Sequence, residues 1–360
     1  MAMKTNLRAA AGRLLVVGLG GTELTPLERA WLKLVRPAGV ILFRRNIRDA
    51  AQTRTLLSDA TALCTPHSLR CVDVEGGTVD RLRDALAPMP SAQAVAKTGL
   101  ARKHGELVGR AVKAFGFNTT LAPVIDLALP SSAEVMGTRV TSAMPECVVE
   151  YARAFLSGLS GQGVAGCGKH FPGLGAGTKD SHLETPAIER SIAELWREDL
   201  SPYRALRSEL PMVMVNHAAY PQTPGGNRPA SVSSYWITTV LRKRIGYTGI
   251  VFSDDLEMGG ILKFMPIEEA VVAAVRAGMD LMEICHSPEL ILRAYEALIS
   301  EAERSKAFAA ILTARARRTA KLREKLFAGT PARALTERQF DGLRKQILQF
   351  GEQIAEAQQA

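Results

Sequence analysis

Aromatic side chains are scarce in this 360-residue chain: Phe, Tyr and Trp together make up 6%, and only three are tryptophan. The formal net charge is +9, with much of the basic excess in RARRTAKLREK, Arg315 to Lys325. A nucleic-acid surface would join such a patch to stacking aromatics or to a known module, and neither accompanies this one. The segment reads as the solvated face of a helix, and no nucleic-acid partner is expected. A basic surface stays compatible with anionic substrates or cell-wall polymers.

Long apolar runs are missing too. None has the roughly 20 residues that cross a bilayer as a helix, so no membrane partner is expected. The N-terminus, MAMKTNLRAAAGRLLVVGLGG, places basic residues before an apolar run, as a signal peptide does. Arg13 interrupts that run and LLVVGLG leads straight into a helix start, so it reads as the first strand. The five cysteines, Cys64, Cys71, Cys147, Cys167 and Cys285, are scattered and lack any C-x-x-C pair. They read as reduced, mostly buried thiols of a cytoplasmic protein.

What is present is an ordinary globular composition, 47% hydrophobic and 22% charged. Eight apolar runs of strand length recur: 13–20, 39–45, 69–77, 119–126, 164–171, 212–218, 249–255 and 281–286. They are nearly continuous in apolar residues, as strands covered on both faces are. Helical patterns lie between most of them. Thr25-Pro26-Leu27-Glu28 is a capping box with proline at the first helical position, Ser191 to Glu194 opens another helix, and Ser287-Pro288 a third. Strands alternating with helices predict an α/β fold, a (β/α)8 TIM-type barrel with extra C-terminal helices. A doubly wound open sheet is the rival, but no G-x-G-x-x-G turn follows the first strand. The expected division is a barrel over 1–330 and a helical extension over 331–360.

In such a barrel the site forms at the C-terminal ends of the strands. Here those ends carry Asp73, Asp126, Lys169-His170, Asn216-His217 and Asp254-Asp255. His170, His217 and Asp254 could supply a metal shell, but Lys169 would set a cation beside it and no H-x-H or H-E-x-x-H spacing occurs. No G-x-S-x-G elbow supports a serine hydrolase. Lys169 leaves a Schiff-base aldolase open. A carboxylate nucleophile with a separate proton donor is glycoside chemistry. Asp254 suits the first role, and a histidine, with an ordinary pKa of about 6.5, suits the second. In KHFPGLGAGTKDSH (169–182), Asp180 and His182 stand two apart on a glycine-rich loop and can turn the same way.

VDVEGG (72–77), LAPVIDL (121–127), EVMGTR (134–139), KHFPG with DSH (169–173 and 180–182) and VFSDDLEM (251–258) follow one another on successive strands. This ordered set resembles glycoside hydrolase family 3, most of all its single-domain bacterial β-N-acetylhexosaminidases of the NagZ type, over roughly residues 12 to 330. The resemblance implies that Asp254 is the nucleophile, His182 the acid/base and Asp180 its partner. It implies that Asp73, Arg81, Arg139, Lys169 and His170 hold a terminal N-acetylglucosamine. It further implies a retaining exo-β-N-acetylglucosaminidase acting on peptidoglycan fragments through a covalent glycosyl–Asp intermediate, without metal or organic cofactor. Its partner would be a small carbohydrate, and the chain a monomer or weak homo-oligomer. Another family 3 glycosidase, a phosphorylase and a non-catalytic muropeptide-binding protein remain alternatives.

The chain departs from the family pattern at Leu174 and Ala176-Gly177, where the usual loop reads KHFPGHGDT, and at Thr78, where arginine is usual. Plainer roles stand beside the functional ones. Arg81 and Arg139 could pair with barrel carboxylates. His217 is expected on the substrate side but could be a core histidine bonded to backbone. Alternation along the strand turns Asp255 away from the side of Asp254. His67, His104 and His286 read as structural or surface residues.

Overall fold

The structure is a computed structural model that describes residues 7–177, 185–328 and 334–359. Eight parallel strands close into a barrel: β1 (Leu15–Gly18), β2 (Gly39–Leu42), β3 (Leu69–Val72), β4 (Thr119–Thr120), β5 (Ala165–Phe171), β6 (Met212–Val215), β7 (Ile250–Asp255) and β8 (Leu281–Ile284). Each lies within one of the apolar runs, and β8 returns to pair with β1, Val16 against Glu283. The TIM-type barrel is therefore the architecture, and the open-sheet rival falls away.

Alternation sorts the strand residues into two cores. Val16, Ile41, Cys71, Cys167, Met214, Phe252 and Leu281 pack together inside the barrel. Their neighbours Val17, Val40, Val72, Val213, Val251 and Met282 face outward and join the helices in the larger core. With both faces covered, the strands can be apolar almost throughout.

The helix starts follow their caps. Thr25 and Glu28 form the reciprocal capping box of Pro26–Val35, and Glu28 also takes the Gly20 N–H at 2.8 Å, fixing the loop after β1. Ser191 and Ser287 cap Ile192–Arg197 and Pro288–Arg304. Tyr235–Arg244, expected as an ordinary helix, winds as a π-helix; the Ile245 N–H reaches back five residues to the Val240 carbonyl.

The helix Lys306–Phe327 closes the barrel floor. Leu322 and Phe327 pack on the inner core from below. Arg323, wholly buried, donates to the carbonyls of Ala38 at 2.9 Å, Pro66 at 3.2 Å and His67 at 3.3 Å, and to Thr65 Oγ1 at 3.1 Å. Arg315 and Arg318 each lie 3.4 Å from buried Asp280. The basic run is thus not simply a solvated face: three of its arginines lock the helix to the barrel. The last helix, Glu337–Gln359, lies against Ala101–Ala114, with Phe350 beside His104 and Arg110 bonded to Gln346. No described helix is long and apolar enough to cross a membrane.

Candidate active site

The opposite end of the barrel is open. A cavity of about 690 Å3 sits at the C-terminal strand ends, walled by Asp73, Glu75, Arg81, Arg139, Lys169, His170, Asp254, Asp255 and Glu283, among others. The alternation that packs Cys71, Cys167, Phe252 and Leu281 inside puts Asp73, Lys169, Asp254 and Glu283 next on the same inward rows.

Glu75 organises the acidic and basic groups. After β3 the chain folds back as a hairpin of Val74–Gly76 with Val79–Asp80, and Gly76 and Gly77, at φ +92° and +62°, make a reversal that side chains resist. Glu75 is thereby turned inward, and Arg139 clamps it with both arms, Nε to Oε2 at 2.8 Å and Nη2 to Oε1 at 2.9 Å. Lys169 Nζ lies 2.6 Å from Glu75 Oε1 and 3.0 Å from Asp73 Oδ1. Arg81 approaches the other Asp73 oxygen at 3.8 Å. Burial pushes the Glu75 carboxyl up, but Arg139 and Lys169 outweigh it and hold it well below the usual carboxylate range. Burial opposes the Lys169 charge, and Asp73 and Glu75 more than restore it. Lys169 is thus a fixed ammonium, which disfavours the Schiff-base role.

His170 is held from beneath. Asp126 Oδ2 receives its backbone N–H at 3.0 Å and faces Nδ1 at 2.6 Å, while Oδ1 takes the Leu174 N–H at 2.7 Å. Nε2 faces Arg139 Nη2 at 3.4 Å. The mouth thus offers fixed donors and acceptors, which suits recognition of hydroxyl groups.

Asp254 borders the cavity. Burial pushes its carboxyl up, but His170, His217, Lys169 and the Asp255 N–H pull it down, so it lies below its ordinary value. Asp255 borders the cavity as well, contrary to strict alternation, because the pairing of β7 with β8 shifts between Leu281 and Glu283. Its carboxyl is pushed up to about 7, chiefly by burial.

The structure brings together Asp73, Arg81, Arg139, Lys169, His170 and Asp254 in one cavity. His217 does not line it. It is wholly buried, with Nδ1 2.7 Å from Ser231 Oγ and Nε2 donating at 2.9 Å to the Asp255 carbonyl. Among the described residues it supports the end of β7 through the Asp255 carbonyl. His286, read as structural or surface, lines the mouth and stacks on Phe43 with centroids 5.4 Å apart. Asp180 and His182 fall outside the described residues. The chain on either side is anchored: Tyr220 OH donates to the Gly173 carbonyl at 2.7 Å, and Thr185 Oγ1 to the Gly260 carbonyl at 2.6 Å.

The metal set of His170, His217 and Asp254 does not form as a shell among the described residues, since Ser231 and the Asp255 carbonyl engage both nitrogens of His217 and the Arg139 cation faces His170 Nε2 at 3.4 Å. Asp255, Glu257 and His286 do converge, with ligand atoms within 4.8 Å of one another. Glu257, however, already accepts from the Cys285, His286 and Ser287 N–H groups.

The comparisons with known proteins agree with this geometry. The glycosyl hydrolase family 3 N-terminal domain matches residues 7–322. A β-hexosaminidase of Thioalkalivibrio sulfidiphilus is 38% identical over 295 residues, 79% of this chain and 84% of that protein. Among solved structures, a family 3 β-N-acetylglucosaminidase from a Paenibacillus species superposes with a TM-score of 0.85 at 29% identity, covering 96% of this chain and 68% of that one. NagZ of Neisseria gonorrhoeae superposes with a TM-score of 0.72 at 30% identity, covering 85% of this chain and 98% of that one. The chain belongs to glycosyl hydrolase family 3 and is a glycoside hydrolase.

Proposed function

We propose that this hydrolase is a retaining exo-β-N-acetylglucosaminidase of peptidoglycan fragments. The observation that carries the reading is Asp254 at the rim of a cavity whose other wall is the Asp73–Lys169–Glu75–Arg139 network. That network supplies oriented groups for one sugar, and Asp254 is the carboxylate beside it. The names of the relatives point to the N-acetylated sugar.

In this reading ionised Asp254 attacks the anomeric carbon while His182, oriented by Asp180, protonates the leaving oxygen. The glycosyl–Asp254 ester is then hydrolysed by a water that His182 deprotonates, and the β-configuration is kept. The charge of the cavity rim supports an anionic fragment. Arg44, Arg45 and Arg81 border the cavity around Phe43, with the Arg45 and Arg81 guanidinium carbons 4.7 and 5.8 Å from its ring centre. Peptidoglycan fragments carry carboxylates that such a rim attracts. The free cysteines, four of them buried, suit a cytoplasmic place in cell-wall recycling.

The test is chromophore release from an aryl β-N-acetylglucosaminide beside the matching β-glucoside, with and without phosphate. Release from the N-acetylated substrate alone, unchanged by phosphate, is expected. A phosphate-dependent rise would replace hydrolysis by phosphorolysis, and silence with tight sugar binding would replace it by a binding protein.

A further inference from the structure

Glu283 lines the same cavity but has no part in the mechanism above. It follows Leu281 on the inward row of β8 and is 2% exposed. Its backbone is fixed to β7: its N–H donates to Ser253 Oγ at 3.0 Å, and its carbonyl accepts the Leu256 N–H at 2.9 Å. Among the described residues its carboxyl has one side-chain partner, the Cys285 thiol 3.3 Å from Oε1, and no ion pair.

The groups around it are mostly acidic. Asp254 and Asp255 face it from β7, and Asp73 from the end of β3. Cys71 on β3 and Cys167 on β5 are thiols below, and β1 contributes apolar Val16 beside it. Lys169, a cation of the same cavity, is taken by Asp73 and Glu75. A buried carboxylate without a cation, facing three other acids, is better kept as the neutral acid. Burial first, then Asp255, Asp73 and Asp254, push it well above the usual range. Glu283 therefore differs from Asp73, Glu75 and Asp254. A protonated carboxyl both donates and accepts, whereas an ionised one only accepts.

We propose that Glu283 is a further sugar-binding residue of the pocket, its carboxyl donating a hydrogen bond to one oxygen of the bound sugar. This rests on the glycosidase reading given above. The bond forms with the bound sugar and persists through the reaction, so its loss weakens binding more than turnover.

Two variants test it. Glu283→Gln keeps a donor and an acceptor in nearly the same shape, and Glu283→Leu fills the space without either. Both are compared with the parent by calorimetric titration of N-acetylglucosamine and by steady-state hydrolysis of the aryl β-N-acetylglucosaminide, after thermal melting confirms the fold. Glu283→Gln is expected to bind within about twofold of the parent. Glu283→Leu is expected to bind about tenfold more weakly, with KM raised to match and kcat within about twofold. Parent-like binding and KM in Glu283→Leu would overturn the proposal, as would a Glu283→Gln variant as weak as Glu283→Leu. A parent that binds the sugar without hydrolysing the glycoside would defeat the hydrolase reading, while the titrations still decide the role of Glu283.

Discussion

The two ends of this barrel both bury charge, and they use it differently. At the floor, Arg323 Nη1 donates to carbonyls and a hydroxyl, and Asp280 is met by Arg242, Arg315 and Arg318. A helix lies over both, and nothing there is offered to a ligand. At the mouth, Glu75, Lys169 and Arg139 are paired just as tightly, but they face an open cavity of about 690 Å3. Buried charge alone does not mark a site. What marks it is a network left open on one side, next to groups such as Asp254 and Glu283 that have no cation pair within the described chain.

The sharpest way to break this contrast is Asp254→Ala. Turnover of the aryl β-N-acetylglucosaminide should fall by about 10^4-fold or more, with the melting temperature little changed. Residual activity above about one per cent would remove Asp254 from the chemistry. The converse is Arg323→Met, which takes this donor from the Pro66 and His67 carbonyls at the floor. Urea unfolding should show a loss of about 1–3 kcal/mol, while kcat and KM at 25 °C stay as in the parent. A change in KM would mean that the two ends are coupled.

His104 offers a third kind of burial, a wholly buried ring facing the Tyr151 hydroxyl at 3.0 Å with no carboxylate beside it. Burial pushes its pKa down to about 3. Between that value and the unfolded value of about 6.5, the unfolded chain binds the extra proton, so stability rises with pH across the window. The His104 share of the loss from pH 7 to pH 4 should be about 3 kcal/mol. Urea titrations of the parent and His104→Leu at both pH values isolate it, and parallel losses in the two would refute it. At the small end, exposed Arg293 pairs with Glu268 at 2.7 Å and Glu289 at 3.2 Å. Arg293→Ala should leave the urea midpoint indistinguishable from that of the parent in the same titration.

The strand order and most helix starts were legible because they depend on local patterns. An apolar run buried on both faces and a Ser or Thr three residues before a Glu look the same in any context. The strand-end residues followed from the barrel, because its geometry gathers them. Three features needed the fold. Glu75 reads as part of a glycine turn until Arg139, 64 residues later, is seen to clamp it. Glu283 hides inside LMEICH, where a single acid in an apolar run gives no sign of facing a cavity. Arg323 belongs to a basic repeat that suits a wet helix surface, and its partners lie more than 250 residues upstream. The bonds of His217 to Ser231 and to the Asp255 carbonyl are tertiary as well, and its place at a strand end gives no sign of them.

The position of the floor helix also has a consequence in time. Arg323 bonds to the Ala38 carbonyl across 285 residues of chain. At roughly 5–20 residues per second, a ribosome needs on the order of 15–60 s to make the intervening stretch. For most of that interval the first strands are already made while the segment that seals them does not yet exist. The nascent barrel has to keep its underside from sticking to other chains until the Lys306–Phe327 helix is synthesised.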